Sequence, residues 1–182
     1  MHAPLVVLGG GPGGYAAAFM AADLGMEVTL VEKDTRLGGT CLLRGCIPSK
    51  ALLHVGRVVA EVREMQDWGV HFSAPKIDID AVRDRKEKVI DALTGGLAQL
   101  AKRRNVKVVQ GQGMFTASNT LEVIQQDAGS QKITFDHCIL ASGSRPARIP
   151  AFDIGSPRVM DSTGALELED IPESLLVVGG GY

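Results

Sequence analysis

The sequence of 182 residues predicts an α/β fold, with a parallel β-sheet, flanking helices and a small antiparallel β-meander. Three observations predict it. A strand–helix–strand pattern of about 30 residues opens the chain, two long helical patterns follow, and from residue 106 onward short strand patterns alternate with turn residues. The apolar content of 45% and the charged content of 22% are ordinary for a folded protein and exclude intrinsic disorder.

The charge balance and the apolar pattern exclude several classes of function. With 19 Lys+Arg against 21 Asp+Glu the net charge is −2, so no bulk electrostatic attraction to nucleic acid is expected, and the basic run 102–104 is too short to supply one. No segment reaches the roughly 18 consecutive apolar residues of a membrane span, and no basic region precedes the first apolar run. Three cysteines are too few for a secreted disulfide framework. We therefore expect a cytoplasmic protein with no nucleic-acid or membrane partner.

The first elements form a βαβ unit. Residues 5–8 are a continuous apolar run, which is typical of a strand buried on both faces. An alanine-rich helix is predicted over 15–24 and ends at Gly25, a common helix terminator. Residues 28–31 form the next predicted strand.

A glycine-rich turn joins the first strand to the first helix. In this Gly-x-Gly-x-x-Gly pattern Gly9 permits the tight turn, Gly11 allows a pyrophosphate to approach the backbone, and Gly14 allows close helix–strand packing. Glu32 closes the following strand, where its carboxylate can accept hydrogen bonds from a ribose. Strand, turn, helix and acid together predict a Rossmann-like dinucleotide site, and a purely structural glycine turn is the alternative. The motif alone does not separate FAD from NAD.

The middle of the chain is predicted to be helical and its second half to be a meander. Residues 33–45 are expected to form a loop, followed by helices over about 47–65 and 79–104, with the mixed charges of 83–88 on a solvated face. The meander strands are predicted at 106–109, 114–116, 121–124 and 132–135. Residues 138–141 are then expected to return to the sheet as a buried strand.

Cys41 and Cys46 are five residues apart and suggest a redox-active pair. On a regular helix their Cα atoms would lie about 8.6 Å apart, whereas a disulfide tolerates about 4.4–6.8 Å. A bridge therefore requires bent backbone, which Gly45 would allow. Cys46 stands at a helix start, where the dipole favours thiolate over thiol, and Lys50 adds positive charge one turn later.

Two other interpretations of these cysteines stay open at this point. One is a zinc site, although the other two ligands are missing at any suitable spacing. The other is a pair of unpaired core cysteines. Cys138 lies in a hydrophobic strand without a basic neighbour and is expected to be inert.

A dithiol beside a dinucleotide fold needs a partner that exchanges two electrons with sulfur. Nicotinamide does not react directly with disulfides, whereas a flavin reacts with thiolates and also accepts hydride. Residues 175–181 repeat the sequence pattern of residues 5–11, in which four apolar residues are followed by three glycines. We therefore expect FAD at the first glycine turn and NAD at the second, with the second site incomplete because the chain is expected to be the amino-terminal part of a longer protein.

These motifs resemble those of the flavin-dependent pyridine nucleotide–disulfide oxidoreductases, class I. Within the family, the sequence Cys-Ile-Pro-Ser-Lys after Gly45 is most similar to the members that oxidise dihydrolipoyl groups. The resemblance covers essentially the whole chain, and its most specific parts are residues 9–15, 38–41, 45–50, 141–146, 161–166 and 177–182.

The resemblance implies a role for each matching residue. Cys41 would be the thiol that exchanges with the substrate, Cys46 the thiolate lying against the flavin, and Lys50 a residue that tunes the flavin. No metal ligand is implied. The implied cofactor-binding residues are Gly9, Gly11, Pro12, Gly13, Gly14, Glu32, Lys33, Gly39, Thr40, Lys50, Gly113 (by its backbone, near the adenine), Ser142, Gly143, Ser144 and, for NAD, Gly179 and Gly181.

The resemblance also implies an activity and a domain division. The full-length enzyme would oxidise protein-bound dihydrolipoamide and reduce NAD⁺ as a homodimer, with lipoyl domains of 2-oxo-acid dehydrogenase or glycine cleavage complexes as partners. Residues 1–150 would be the FAD-binding domain, with the meander at about 106–135, and 151–182 the connection and first strand of an NAD-binding domain. The alternatives are a mercuric or glutathione reductase-like enzyme, or a non-catalytic FAD-binding fragment.

Two departures from the family pattern bear on activity. Leu43 and Arg44 stand between the cysteines where the family has Asn and a variable residue, so an amide is lost, and Arg44 either lowers the pKa of a neighbouring thiol or points to solvent. The family's catalytic His, followed five residues later by Glu, is matched by none of the histidines His2, His54, His71 and His137. We therefore expect no turnover by these 182 residues alone.

Overall fold

The computed structural model of the chain describes residues 1–125, 129–147 and 149–180. In these residues six strands form one sheet, flanked by helices, which confirms the predicted fold class. The strands are β1 (His2–Leu8), β2 (Val28–Glu32), β3 (Lys107–Gln110), β4 (Gln112–Ala117), β5 (Thr120–Gln125) and β6 (Gly129–Leu140). The helices are α1 (Pro12–Asp23), α2 (Gly39–Arg44), α3 (Cys46–Glu64), α4 (Ile79–Arg103) and α5 (Ser162–Glu167), with 3₁₀ turns at Met65–Trp68 and Pro150–Phe152.

The sheet has a parallel half and an antiparallel half. Its strand order is β3-β2-β1-β6-β5-β4, and the pairs within β3-β2-β1-β6 are parallel. The central strands are buried on both faces, with Val6, Val7 and Leu30 fully inaccessible to solvent. This is why their sequences are continuous apolar runs without polar alternation.

The antiparallel half differs from the predicted meander in two ways. The expectation that 106–109 begins the meander is wrong, because β3 pairs in parallel with β2. The chain reaches β3 through the long crossover helix α4, which is the connection that parallel pairing requires. Likewise 132–135 and 138–141 are not separate strands, because β6 runs through 129–140 and pairs with β1 on one side and β5 on the other.

The sheet curls so that its two edges approach each other. β3 and β4 lie at opposite ends of the strand order, yet only Gly111 separates them in the chain. Gly111 has φ +152, and its N–H donates to the Glu32 carbonyl at 2.8 Å. A Cβ on Gly113 would lie 2.6 Å from Cδ1 of Leu8, so β4 packs closely over the end of β1.

Helix α1 packs on the sheet as its sequence predicts, whereas α4 makes contacts that were not expected. α1 presents Gly14, Ala18 and Ala21 to the sheet, and these small residues allow the close approach. The expectation that 83–88 is a solvated face is wrong for two cations of α4. Lys86 is buried and donates to the Leu166 carbonyl at 3.0 Å, while Arg83 donates to the Leu168 carbonyl at 3.0 Å. The two side chains therefore hold the carboxyl end of α5.

The predicted strand at 175–178 has no pairing partner among the described residues. Its four apolar side chains are 65–87% exposed. Gly179 has φ +105, close to the +108 of Gly9, so the backbone bend of the first glycine turn recurs there. Gly181 lies outside the described residues. No helix in the described part of the chain is long and apolar enough to cross a membrane.

Candidate dinucleotide and dithiol site

The turn between β1 and α1 leaves no room for side chains at two of its glycines. A Cβ on Gly9 would lie 2.2 Å from the Ala141 carbonyl oxygen, and a Cβ on Gly14 would lie 1.7 Å from the Gly9 carbonyl oxygen. The Gly9 N–H donates to the Val31 carbonyl at 2.8 Å, which ties the turn to β2. The positions predicted for the tight turn and for helix–strand packing thus serve those purposes.

Two helix N-termini meet at the outer part of this turn. α1 begins at Pro12 and α2 begins at Gly39, and a Cβ on Gly39 would lie 2.6 Å from the Cα of Gly11. Gly39 also has φ +59, which favours glycine there. Each N-terminus carries unpaired N–H groups and partial positive charge.

This arrangement fits the pyrophosphate of a dinucleotide. The space beside Gly13 is open, because a Cβ there would meet no atom within 4 Å, and beside Gly11 only the Cα of Gly39 lies within that distance. Bare backbone and two converging helix dipoles are the features that bind phosphate groups. The site residues present therefore fit the group that the glycine motif implies.

Glu32 connects the end of β2 to the glycine turn. Its buried carboxylate accepts a hydrogen bond from the Gly10 N–H through Oε2 and from the Asp34 N–H at 2.8 Å through Oε1. This structural role was missed by sequence reasoning, which treated Glu32 only as an acceptor for ribose. Each oxygen keeps a second lone pair, so a ribose hydroxyl can bond as well. Lys33, the residue after Glu32, is exposed, and so is Thr40, the second residue of α2.

The segment after β6 leaves the sheet at the same edge as the glycine turn. The Ala141 N–H donates to the Leu8 carbonyl at 2.8 Å, so the carboxyl ends of β1 and β6 lie side by side. Ser142, Gly143 and Ser144 follow and are exposed. Their contact with a cofactor stays a prediction, as does that of Gly113, whose close contact with Leu8 already accounts for a glycine at that position.

The two cysteines lie on either side of a break between two helices. The expected loop 33–45 is in part wrong, because Cys41 belongs to the short helix α2. Gly45, with φ −143 and ψ −108, ends α2 and precedes Cys46, the first residue of α3. The bent backbone predicted at Gly45 is therefore present. A Cβ on Gly45 would lie 3.0 Å from the Thr40 carbonyl oxygen, which leaves little space for a larger residue.

The Cys46 thiol influences the ionisation of the Cys41 thiol. In the described part of the chain all three cysteines are free, with Cys41 half-buried and Cys46 exposed. The hydrogen bond with the Cys46 side chain raises the pKa of Cys41, as do burial and the negative charge of the Cys46 thiolate, while a backbone hydrogen bond from Cys46 and the charge of Lys50 oppose them. The net effect is a pKa of Cys41 above that of an ordinary cysteine.

Cys138 has a different environment. It lies on β6 at the register position of Val6, and burial alone raises the pKa of its thiol. Among the described residues, no group of three His, Cys, Asp or Glu side chains is arranged to hold a metal ion. A zinc ion at the cysteines would therefore lack a set of protein ligands in that part of the protein.

Of the two expectations for Arg44, a side chain that points freely to solvent is wrong. Its guanidinium forms an ion pair with Asp34, in the turn that follows β2. The other expectation, a lowered pKa of a neighbouring thiol, stays a prediction. The sequence carries no signal for this pair, because the two residues are ten positions apart in a segment without periodicity.

Comparison with known proteins places this site in a family. A family model described as "Pyridine nucleotide-disulphide oxidoreductase" matches residues 3–182. The chain is similar to the dihydrolipoyl dehydrogenase of Vibrio cholerae, with 53% identity over 181 residues that cover all of this chain and 38% of the relative. It is similar also to that of Haemophilus influenzae, at 50% identity with 97% and 37% coverage, and to that of Haloferax volcanii, at 46% identity with 98% and 38% coverage.

Among solved structures the chain is similar to the copper(II) complex of the HOCl-induced flavoprotein disulfide reductase RclA from Escherichia coli. The TM-score is 0.78 at 27% sequence identity, and the match covers 94% of this chain and 36% of that one. The chain thus spans 37–38% of the length of these curated relatives. The chain belongs to the pyridine nucleotide–disulphide oxidoreductase family.

Proposed function

We propose that the protein is a dihydrolipoyl dehydrogenase, and that these 182 residues supply its FAD-binding part and its redox cysteines. The observation that carries the proposal is the contact between Gly39 and Gly11. It places the first residue of α2, the helix that contains Cys41, directly against the dinucleotide turn. Relatives that bear the name dihydrolipoyl dehydrogenase, at 46–53% identity, support the choice within the family.

FAD would be held mainly by backbone and by helix N-termini. Gly11, Pro12, Gly13 and Gly39 would bind its pyrophosphate, and Glu32 its adenosine ribose. When bound, FAD accepts an electron pair from the dithiol and passes hydride to NAD⁺. The remaining contacts would come from Gly9, Gly14, Lys33, Thr40, Lys50, Gly113, Ser142, Gly143 and Ser144.

The cysteines would carry out a thiol–disulfide exchange with the substrate. One dihydrolipoyl sulfur attacks Cys41 of the Cys41–Cys46 disulfide, forms a mixed disulfide, and releases Cys46 as a thiolate. The second dihydrolipoyl sulfur then displaces Cys41, so the substrate leaves as the cyclic disulfide. Two electrons pass to the cysteine pair, one proton stays on Cys41 and the other is released.

The raised pKa of Cys41 means that the reverse attack by this thiol needs a proton acceptor. Of the four histidines, His2 bonds to Thr134 at 3.2 Å and lies 3.4 Å from Asp136, while His54, His71 and His137 are exposed. None of them has the family's pattern of a His followed five residues later by Glu. By the family resemblance, the base would be that His, contributed by a homodimer partner from a part of the protein beyond these 182 residues.

The remaining parts of the reaction rest on the family resemblance. NAD would bind at a second glycine turn, which includes Gly179 and Gly181. The φ angle of Gly179 is close to that of Gly9 in the first turn, and this similarity supports the assignment. The substrates would be lipoyl domains of 2-oxo-acid dehydrogenase or glycine cleavage complexes. The location would be the cytoplasm.

The test is the rate of NAD⁺ reduction by dihydrolipoamide, catalysed by the purified full-length protein, which includes the parts beyond these 182 residues, and followed by NADH absorbance. Cys41→Ser and Cys46→Ser should each lower the rate at least about 1,000-fold, since either change removes the disulfide. Cys138→Ser is the control and should keep the wild-type rate. Activity with NADPH and glutathione disulfide or Hg²⁺, but not with dihydrolipoamide, would contradict the proposal in favour of a related reductase, and bound FAD without turnover would indicate a binding module.

A further inference from the structure

The ion pair between Arg44 and Asp34 is unusually shielded from solvent. The two side chains are 35% and 24% exposed, against 78% and 54% for Arg57 and Glu61 on α3. Asp34 is the least exposed carboxylate among the ion pairs of the described residues. Because shielding from water strengthens Coulomb attraction, this pair should restrain the chain more than an exposed pair does.

The pair links the glycine turn to the cysteine junction. On one side, the Asp34 N–H donates to Glu32, which in turn accepts from the Gly10 N–H. On the other side, Arg44 immediately precedes Gly45, where the backbone bends between α2 and α3. A series of contacts therefore connects the dinucleotide turn to Gly45, the residue between the helix that contains Cys41 and the helix that contains Cys46.

Arg44 is placed to act by its position. Asp34 lies against its guanidinium and offsets its charge, whereas the cation that lowers the pKa of the Cys41 thiol is Lys50. What the pair fixes is the last residue of α2, next to a glycine that would otherwise have wide conformational freedom.

We propose that Arg44 and Asp34 are positioning residues for the redox pair: their ion pair holds the α2–α3 junction so that Cys41 and Cys46 face each other. This inference rests on the proposed redox role of the two cysteines. Fixing the junction raises the effective concentration of one thiol at the other, which favours the disulfide over two separate thiols.

The test is the equilibrium between the purified protein and glutathione. Glutathione disulfide oxidises the Cys41–Cys46 dithiol to the disulfide and is reduced to two glutathione molecules. Alkylation of the remaining thiols followed by mass spectrometry measures the equilibrium constant. Asp34→Asn and Arg44→Met should each lower it about tenfold, which is a rise of about 30 mV in reduction potential.

The two variants separate position from charge. If Arg44 acted by its charge, Arg44→Met would remove that charge and raise the constant for disulfide formation, whereas Asp34→Asn would free the charge and lower it. A positioning role requires both to lower it, and requires the double variant to be no worse than either single one. Asp34→Asn is nearly isosteric and keeps the Asp34 N–H bond to Glu32, so it tests the pair even if Arg44→Met folds poorly.

Arg57→Met is the matched control, because it breaks an exposed ion pair on α3 and should leave the constant unchanged. Unchanged constants in both Asp34→Asn and Arg44→Met, or opposite shifts in the two, would overturn this inference alone. A wild-type protein that forms no Cys41–Cys46 disulfide with glutathione disulfide would instead overturn the proposed function.

Discussion

Gly14 and Gly56 both lie in helices, but only Gly14 faces the backbone of another element. A Cβ on Gly14 would lie 1.7 Å from the Gly9 carbonyl oxygen, whereas one on Gly56 would meet no atom within 4 Å. Gly14→Ala should therefore lower the free energy of unfolding by about 3 kcal/mol, the upper end for overpacking. Gly56→Ala should raise it by about 0.5–1 kcal/mol through helix propensity. Urea unfolding measures both, and equal effects would contradict the described turn.

The Cys41 thiol should titrate above an ordinary cysteine, mainly because of its hydrogen bond with Cys46. Raising this pKa reduces the thiolate fraction at a given pH, so iodoacetamide should alkylate Cys41 more slowly than free cysteine at pH 8. Cys46→Ala should lower the pKa and speed alkylation, by about tenfold for each pKa unit recovered. Lys50→Met should slow it further, because the lysine charge favours the thiolate.

Mass spectrometry of the Cys41 peptide over a pH series gives these rates, and Cys138→Ala is the control that should change nothing. A profile that is insensitive to Cys46→Ala would show that the two thiols do not interact.

The role of a residue was predictable from the sequence where the local backbone conformation alone determines it. Gly9, Gly14 and Gly45 occupy the conformations that their positions in the sequence suggested. Glu32 and Arg44 were only partly predictable, because their partners are Gly10 and Asp34, and a sequence does not show which loop residues meet.

At the scale of elements, α4 and α5 are joined by two cations. Lys86 and Arg83 donate to carbonyls at the carboxyl end of α5, where the helix dipole is negative. Lys86→Met removes a hydrogen bond from a charged donor, worth about 1.5–3 kcal/mol, so amides of α5 should exchange with deuterium roughly 10- to 100-fold faster.

Hydrogen-exchange mass spectrometry of peptides spanning α5 is the measurement. Lys88→Met, an exposed position of the same helix, should leave exchange unchanged. Unchanged exchange in Lys86→Met would mean that Lys86 does not hold α5.

The long helices α3 and α4 were predicted almost to the residue, because their apolar periodicity is a local signal. The direction of β3 and the continuity of β6 were not, since both depend on pairing with strands far away in the sequence. α2 was taken as a loop because six residues beginning with glycine carry little helical periodicity.

At the scale of the whole molecule, the site is formed where distant segments meet. The carboxyl ends of β1 and β6 lie side by side, and the N-termini of α1 and α2 converge beside them. The motifs predicted a dinucleotide turn and a dithiol, and the family resemblance implied that they lie together. The structure adds the contact that brings them together, between Gly39 at the start of α2 and Gly11 in the turn. Segment 175–178 has a strand pattern but pairs with no strand among the described residues, and its side chains are 65–87% exposed.

The proposed function requires that a flavin dinucleotide lies on the glycine turn with the cysteine pair against it. The most direct measurement is the absorbance spectrum of the purified protein, with flavin counted per chain before and after addition of dihydrolipoamide. We expect one FAD per chain and, on reduction of the cysteines, a long-wavelength thiolate–flavin band that Cys46→Ser abolishes. A colourless protein would contradict the proposal. So would a flavin spectrum that changes neither on addition of dihydrolipoamide nor in Cys46→Ser.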